Sequence, residues 1–207
     1  MRKALRLYVI PDRRIGAPLS LEEQAKRAIE GGATAIQLRD KEMDGRALLD
    51  VAGAMASVCR EADVLFIVND RLDVALLSGA DGVHLGQGDL PVTEARRLVP
   101  HPFVIGASAH TPDEARKAEA DGADYLGIGA VFGTGSKDDA EVIGPPRVRE
   151  IADSVALPRV AIGGITPENL PEVLRCGVDG VSVISAAVRG NVRERTAFLW
   201  KVLKSLS

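Results

Sequence analysis

The stretch SGADGVHLGQGD, residues 78–89, decides the fold. An amphipathic segment stops at Gly79, where a residue that tolerates a left-handed backbone is the usual helix terminator. Ala80 and Asp81 follow, then the short apolar run Gly82–Leu85, then a polar turn ending in Asp89. The same passage recurs as Gly32-Ala33-Thr34, Gly122-Ala123-Asp124 and Gly177-Val178-Asp179, each time before a β-rich run. Working outward gives eight such runs: LRLYVI (5–10), TAIQL (34–38), VLFIV (64–68), GVHL (82–85), FVIGA (103–107), YLGIGAV (125–131), RVAIG (159–163) and GVSVI (180–184). Longer amphipathic segments separate them, and several carry start signals: Ser20 before LEEQ, Thr111-Pro112 and Thr166-Pro167. A hydroxyl caps a helix start and Pro suits its first turn. Eight strand-then-helix units of roughly 26 residues predict an α/β chain folded as a compact (β/α)8 TIM barrel. The alternative, an open doubly wound sheet, wants a glycine-rich turn after strand 1, and VIPDRR (9–14) has no glycine there.

The totals agree with one domain spanning 1–207. Basic and acidic residues number 26 and 29, a net charge of -3, which argues against nucleic acid or an anionic membrane as partner. Any phosphate must be met locally, by a few cations and backbone N–H groups. Cys59 and Cys176 are far apart and lack metal-ligand spacing. The apolar run Leu5–Ile10 contains Arg6 and is too short for a signal peptide, and no run reaches membrane-span length. The expectation is a cytoplasmic enzyme of small molecules; a homo-oligomer is left open.

Function in such barrels sits at the C-terminal ends of the strands. Those ends read QLRDK, VNDR, HLGQGD, GASAH, GIGAVFGTGSK, AIGGI and VISAA. Asp70 and Asp89 follow adjacent strands. As two hard oxygen donors they suit Mg²⁺, which keeps waters and takes phosphate oxygens. The rival readings are an acid–base pair and an ion pair of Asp70 with Arg71; the cations nearby favour the metal. Arg39, Lys41 and Lys137 bring the cations a phosphate needs. Gly163-Gly164 with Ser185 has the character of a phosphate cradle. Ser108 reads as a hydroxyl donor to ligand, since no Ser–His–Asp order or nucleophile elbow accompanies it. His84 is expected to pack within its strand, His110 to stand near the site, and His101, between two prolines, at the surface. The loop 132–146, with glycines at 133 and 135, is expected to act as a lid.

Taken in order, QLRDK, VNDR, GADGVHLGQGD, IGASAH, ADYLGIGAVF, GTGSK, AIGGI and VISAA resemble the thiamine-phosphate synthase family over nearly the whole chain. Ser136 stands where that family usually has Thr, and Ala130 where it often has Pro. The resemblance implies a (β/α)8 transferase of thiamine biosynthesis that joins 4-amino-5-hydroxymethyl-2-methylpyrimidine diphosphate to a thiazole phosphate and releases diphosphate. It implies that Gln37, Arg39 and Lys41 contact the pyrimidine diphosphate, with Asn69 beside the pyrimidine. Asp70 and Asp89 would bind Mg²⁺, and Ser108 and Lys137 would hold the diphosphate. Thr134, Ser136, Gly164, Ile184 and Ser185 would meet the thiazole phosphate. The catalytic work would fall to Arg39, Lys41, Lys137 and Ser108, which stabilise the departing charge while the pyrimidine ring delocalises the positive charge left behind. The rivals are a thiazole tautomerase, a non-catalytic phosphate-ligand sensor and a sugar-phosphate isomerase on the same barrel.

Overall fold

The computed structural model describes residues 1–133 and 141–206. Eight strands, β1 (Leu7–Val9), β2 (Ala35–Leu38), β3 (Leu65–Asn69), β4 (Gly82–Leu85), β5 (Val104–Ala109), β6 (Tyr125–Gly129), β7 (Arg159–Ile162) and β8 (Gly180–Val183), run parallel and close into a barrel. β1 pairs with β8 through Leu7↔Val181 and Tyr8↔Ser182, so the sheet has no free edge. The expected (β/α)8 architecture is the one observed. Around it lie α1 (Leu21–Glu30), α2 (Gly45–Glu61), α3 (Leu72–Ser78), α4 (Val92–Leu98), α5 (Pro112–Ala120), α6 (Gly144–Asp153), α7 (Leu170–Leu174), the short α8 (Ser185–Val188) and α9 (Val192–Ser205). None of the described helices is long and apolar enough to cross a membrane.

Alternation along each strand divides the core in two. Outward residues such as Leu7, Ile36, Phe66, Val83, Ile105, Leu126 and Val181 pack with the helices in one continuous cluster. Inward residues form a smaller cluster of Leu5, Tyr8, Ala35, Ile67, Val104, Tyr125 and Val160. Above that layer the inward side chains turn polar: Gln37, Asn69, His84 and Ser108 line a cavity.

The recurring glycine passage has two physical roles. Gly32, Gly79, Gly122 and Gly177 all sit at positive φ, between 72° and 99°, as helix stops require. The residue two positions on pins neighbouring strands together. Thr34 Oγ1 accepts from Leu7 N (2.9 Å), and Asp81 Oδ2 accepts from Phe66 N (2.8 Å). Asp124 Oδ2 accepts from Ile105 N (2.7 Å), and Asp179 Oδ2 from Arg159 N (2.9 Å). Each pinning residue also donates its own N–H back, to Leu7, Phe66, Ile105 and Arg159 carbonyls in turn. Four clasps thus tie β1 to β2, β3 to β4, β5 to β6 and β7 to β8 at the barrel floor.

Some boundaries differ from the sequence reading. β1 is only three residues, because Arg2–Leu5 forms a 3₁₀ turn that plugs the floor with Leu5. Ser20 and Thr111 cap α1 and α5 as expected, accepting from Glu23 N and Glu114 N. Thr166 does not cap: its N–H donates to Asn169 Oδ1 (2.8 Å), and α7 begins only at Leu170.

Candidate active site

The C-terminal ends of the strands surround a cavity of about 310 Å³. Of the residues singled out in the sequence, Gln37, Arg39, Asn69, Ser108, Gly164, Ile184 and Ser185 line it. So does His110, whose Nδ1 lies 3.1 Å from Glu114 Oε2. His101 is at the surface, its side chain 71% exposed. Thr134, Ser136 and Lys137, and with them positions 134–140 of the expected lid, lie outside the described residues.

Asp70, Asp89 and Lys41 stand beside the cavity. Asp70 follows β3 with φ 62°, a left-handed backbone that costs a non-glycine residue about 1 kcal/mol or more. Its N–H donates to His84 O (2.8 Å), which holds this turn against β4. Asp89 is fixed by Gly86 N, which donates to its Oδ2 (2.7 Å). The two carboxyl groups interact. Burial first, and then Asp89, push the Asp70 carboxyl up to about 6, against the pull of Lys41 and Arg39. Lys41 Nζ is 3.8 Å from Asp70 Oδ2 and largely exposed. The alternative partner is excluded: Arg71 turns away and forms a two-pronged pair with Asp73, at 2.9 and 2.6 Å. No group of three or more His, Cys, Asp or Glu is gathered to hold a metal among the described residues. Two interacting carboxylates, one of them partly buried, are oxygen donors of the kind that suits Mg²⁺ completed by water and phosphate oxygens.

Across the barrel, Gly163 and Gly164 have φ of 103° and 62°. A Cβ on Gly164 would stand 2.6 Å from Gly133 O, and one on Gly163 2.6 Å from Ala130 Cβ, so only glycine fits this close approach of two loops. Ile184 and Ser185 open α8 at the same wall.

The cavity also holds residues that sequence reasoning passed over. Tyr8 Oη accepts from Gln37 Nε2 (2.8 Å) and lies 3.2 Å from Tyr125 Oη. Tyr125 Oη is 3.0 Å from His84 Nδ1, and His84 Nε2 is 3.0 Å from Ser108 Oγ. Desolvation pushes the imidazole down to about 4, so His84 is neutral at neutral pH. It is packed, as expected, but it also touches a ligand candidate. The missed signal was the glycine opposite each ring. A Cβ on Gly106 would fall 2.2 Å from Tyr125 Cζ, and one on Gly127 2.9 Å from His84 Cε1.

A closed parallel barrel with polar side chains gathered round a cavity at its C-terminal mouth is, as a class, a (β/α)8 enzyme. Comparison with known proteins narrows the class. Residues 7–187 match the family model described as thiamine monophosphate synthase. The thiamine-phosphate synthase of Coprothermobacter proteolyticus is 55% identical over 188 residues, covering 91% of this chain and 89% of the relative. That of Pyrococcus furiosus is 46% identical over 207 residues, covering 100% and 98%. A solved structure, thiamine phosphate pyrophosphorylase from Pyrococcus furiosus, superposes with a TM-score of 0.92 over 99% of this chain and 98% of that one. The chain belongs to the thiamine-phosphate synthase family of transferases.

Proposed function

We propose that this synthase joins 4-amino-5-hydroxymethyl-2-methylpyrimidine diphosphate to a thiazole phosphate and releases diphosphate, by a substitution in which the C–O bond breaks ahead of attack. The observation that carries the reading is the half-buried Asp70–Asp89 pair facing Arg39 and Lys41 at the mouth of a cavity. Asp70 and Asp89 would hold Mg²⁺, which when bound neutralises diphosphate charge.

The remaining roles are those the family resemblance implies. Arg39 on the cavity wall and Lys41 at its rim meet the leaving diphosphate, whose charge grows as the bond breaks; electrostatic groups fixed in advance act most strongly at that moment. Ser108 donates its hydroxyl to the same group. Gln37 and Asn69 orient the aminopyrimidine above the Tyr8–Tyr125 layer. Gly164, Ile184 and Ser185, opposite, receive the phosphate of the thiazole and so hold its ring nitrogen toward the reacting carbon. Thr134, Ser136 and Lys137, outside the described residues, would contribute to the two phosphate sites by the same resemblance. No protein nucleophile is required, because the incoming nitrogen supplies the electron pair. No strong base is required, because that nitrogen carries no proton. The purified chain, Mg²⁺ and both substrates are expected to yield thiamine phosphate and diphosphate in equal amounts. Product formed with either substrate omitted, or none with both, contradicts the proposal.

A further inference from the structure

Four hydrogen bonds inside the barrel form one unbroken chain, Gln37–Tyr8–Tyr125–His84–Ser108, crossing from β2 to β5. Both ends line the cavity and the middle is buried, with Tyr8 at 2% and Tyr125 at 0% exposure. Such a chain has a direction, because each hydroxyl has one hydrogen and a neutral imidazole has one N–H. Gln37 donates Nε2–H to Tyr8. The Tyr8 hydrogen then has Tyr125 as its partner, the Tyr125 hydrogen goes to His84 Nδ1, and the His84 hydrogen sits on Nε2 and goes to Ser108 Oγ. With Gln37 donating to Tyr8, reversing any middle link leaves a phenol hydrogen without a partner among the described residues, at a buried site.

We propose that this chain sets the polarity of the pocket: it forces Ser108 to present its hydroxyl hydrogen, and Gln37 its carbonyl oxygen, to the ligand. Tyr8, Tyr125 and His84 are then positioning residues, acting through the two ends. A ligand that suits this polarity carries acceptor oxygens at one end and an N–H donor at the other, as a phosphate ester of an amino heterocycle does. The inference rests on reading the pocket as a diphosphate site, and it adds that the choice of donor and acceptor is made three residues away. One feature shows that the chain is built. Gly106 and Gly127 interrupt strands, where glycine is weakening, and their missing Cβ atoms are the space Tyr125 and His84 occupy.

The tautomer of His84 decides the matter. In the ¹⁵N-labelled full chain, with histidine signals assigned from the His101→Gln and His110→Gln variants, long-range ¹H–¹⁵N spectra at pH 7 are expected to show the Nε2–H form, both alone and with magnesium diphosphate. An Nδ1–H tautomer or an imidazolium in the loaded protein overturns the proposal. This reading needs no turnover, so it fails or stands apart from the reaction assigned to the site. For the kinetic arm, Tyr125→Phe keeps the ring and removes the link. Turnover is expected to fall about tenfold, the scale on which groups that orient a ligand-contacting side chain act. The double variant Tyr125→Phe/Ser108→Ala should be within about twofold of Ser108→Ala alone, since both break the same path. Losses that multiply make Tyr125 merely structural and refute the positioning role. Should Tyr125→Phe fail to fold, Tyr8→Phe tests the preceding link by the same comparison.

Discussion

The two ends of the barrel are built on opposite principles. The floor is repetitive: four clasps at Thr34, Asp81, Asp124 and Asp179 each exchange hydrogen bonds with the strand before. The mouth repeats nothing. It holds a left-handed Asp70, a pair of interacting carboxyl groups, two loops that only glycines let approach, and a buried hydrogen-bond chain. At the floor the four clasps are each closed within the chain, so the floor stabilises. At the mouth the part-buried Asp70 carboxyl is pushed up to about 6, and that unmet capacity is what a ligand can use.

That contrast can be broken at either end. The largest effect is expected from Asp89→Ala at the mouth. Turnover should fall by roughly 10²-fold or more, the scale of losing a transition-state electrostatic contact, with the melting temperature little changed. A loss under about threefold would return Asp89 to an ordinary loop residue. Asp124→Ala at the floor should do the reverse. It removes the acceptor for Ile105 N and the carboxylate that pairs with Arg96 at 2.5 Å. Chemical denaturation should show about 2–3 kcal/mol of lost stability, while turnover of the folded fraction stays within about twofold. Equal damage to both quantities would show that floor and mouth are not separable.

The smallest effect tests the stored cost at Asp70. Its folded pKa of about 6 lies above the ordinary 3.8, so the folded state binds this proton more tightly than the unfolded chain does. The stabilising contribution is therefore complete below about pH 4 and lost as pH rises through 6. Asp70→Asn, in EDTA, should melt a few degrees higher than the unaltered chain at pH 7, with the gain vanishing near pH 4. Asn also tolerates the left-handed backbone. A lower melting point at pH 7 would mean that the carboxylate is satisfied by its neighbours.

The sequence made the floor legible because a repeat announces itself: Gly79-Ala80-Asp81 and its three echoes placed strands 2, 4, 6 and 8, and order alone gave the barrel. It did not reveal that the third residue of each echo is a clasp, since that depends on a partner in the preceding strand. The same reason explains the site. Gln37, Arg39, Asn69 and Ser108 were visible as polar residues ending strands, whereas Tyr8 and Tyr125 looked like ordinary strand residues. Their hydroxyls meet across 117 positions of sequence, and only barrel closure brings them together. The Thr166-Pro167 start misled because Asn169 Oδ1 takes the N–H of Thr166 and postpones the helix.

The central claim is that the mouth is a carboxylate-held Mg²⁺ site for a leaving diphosphate. The most direct measurement follows thiamine phosphate formation from the two substrates as free Mg²⁺ is titrated and then removed with excess EDTA. Turnover should rise with free Mg²⁺, fall to background in EDTA and return when Mg²⁺ is restored. Undiminished product in excess EDTA would contradict the role given to Asp70 and Asp89.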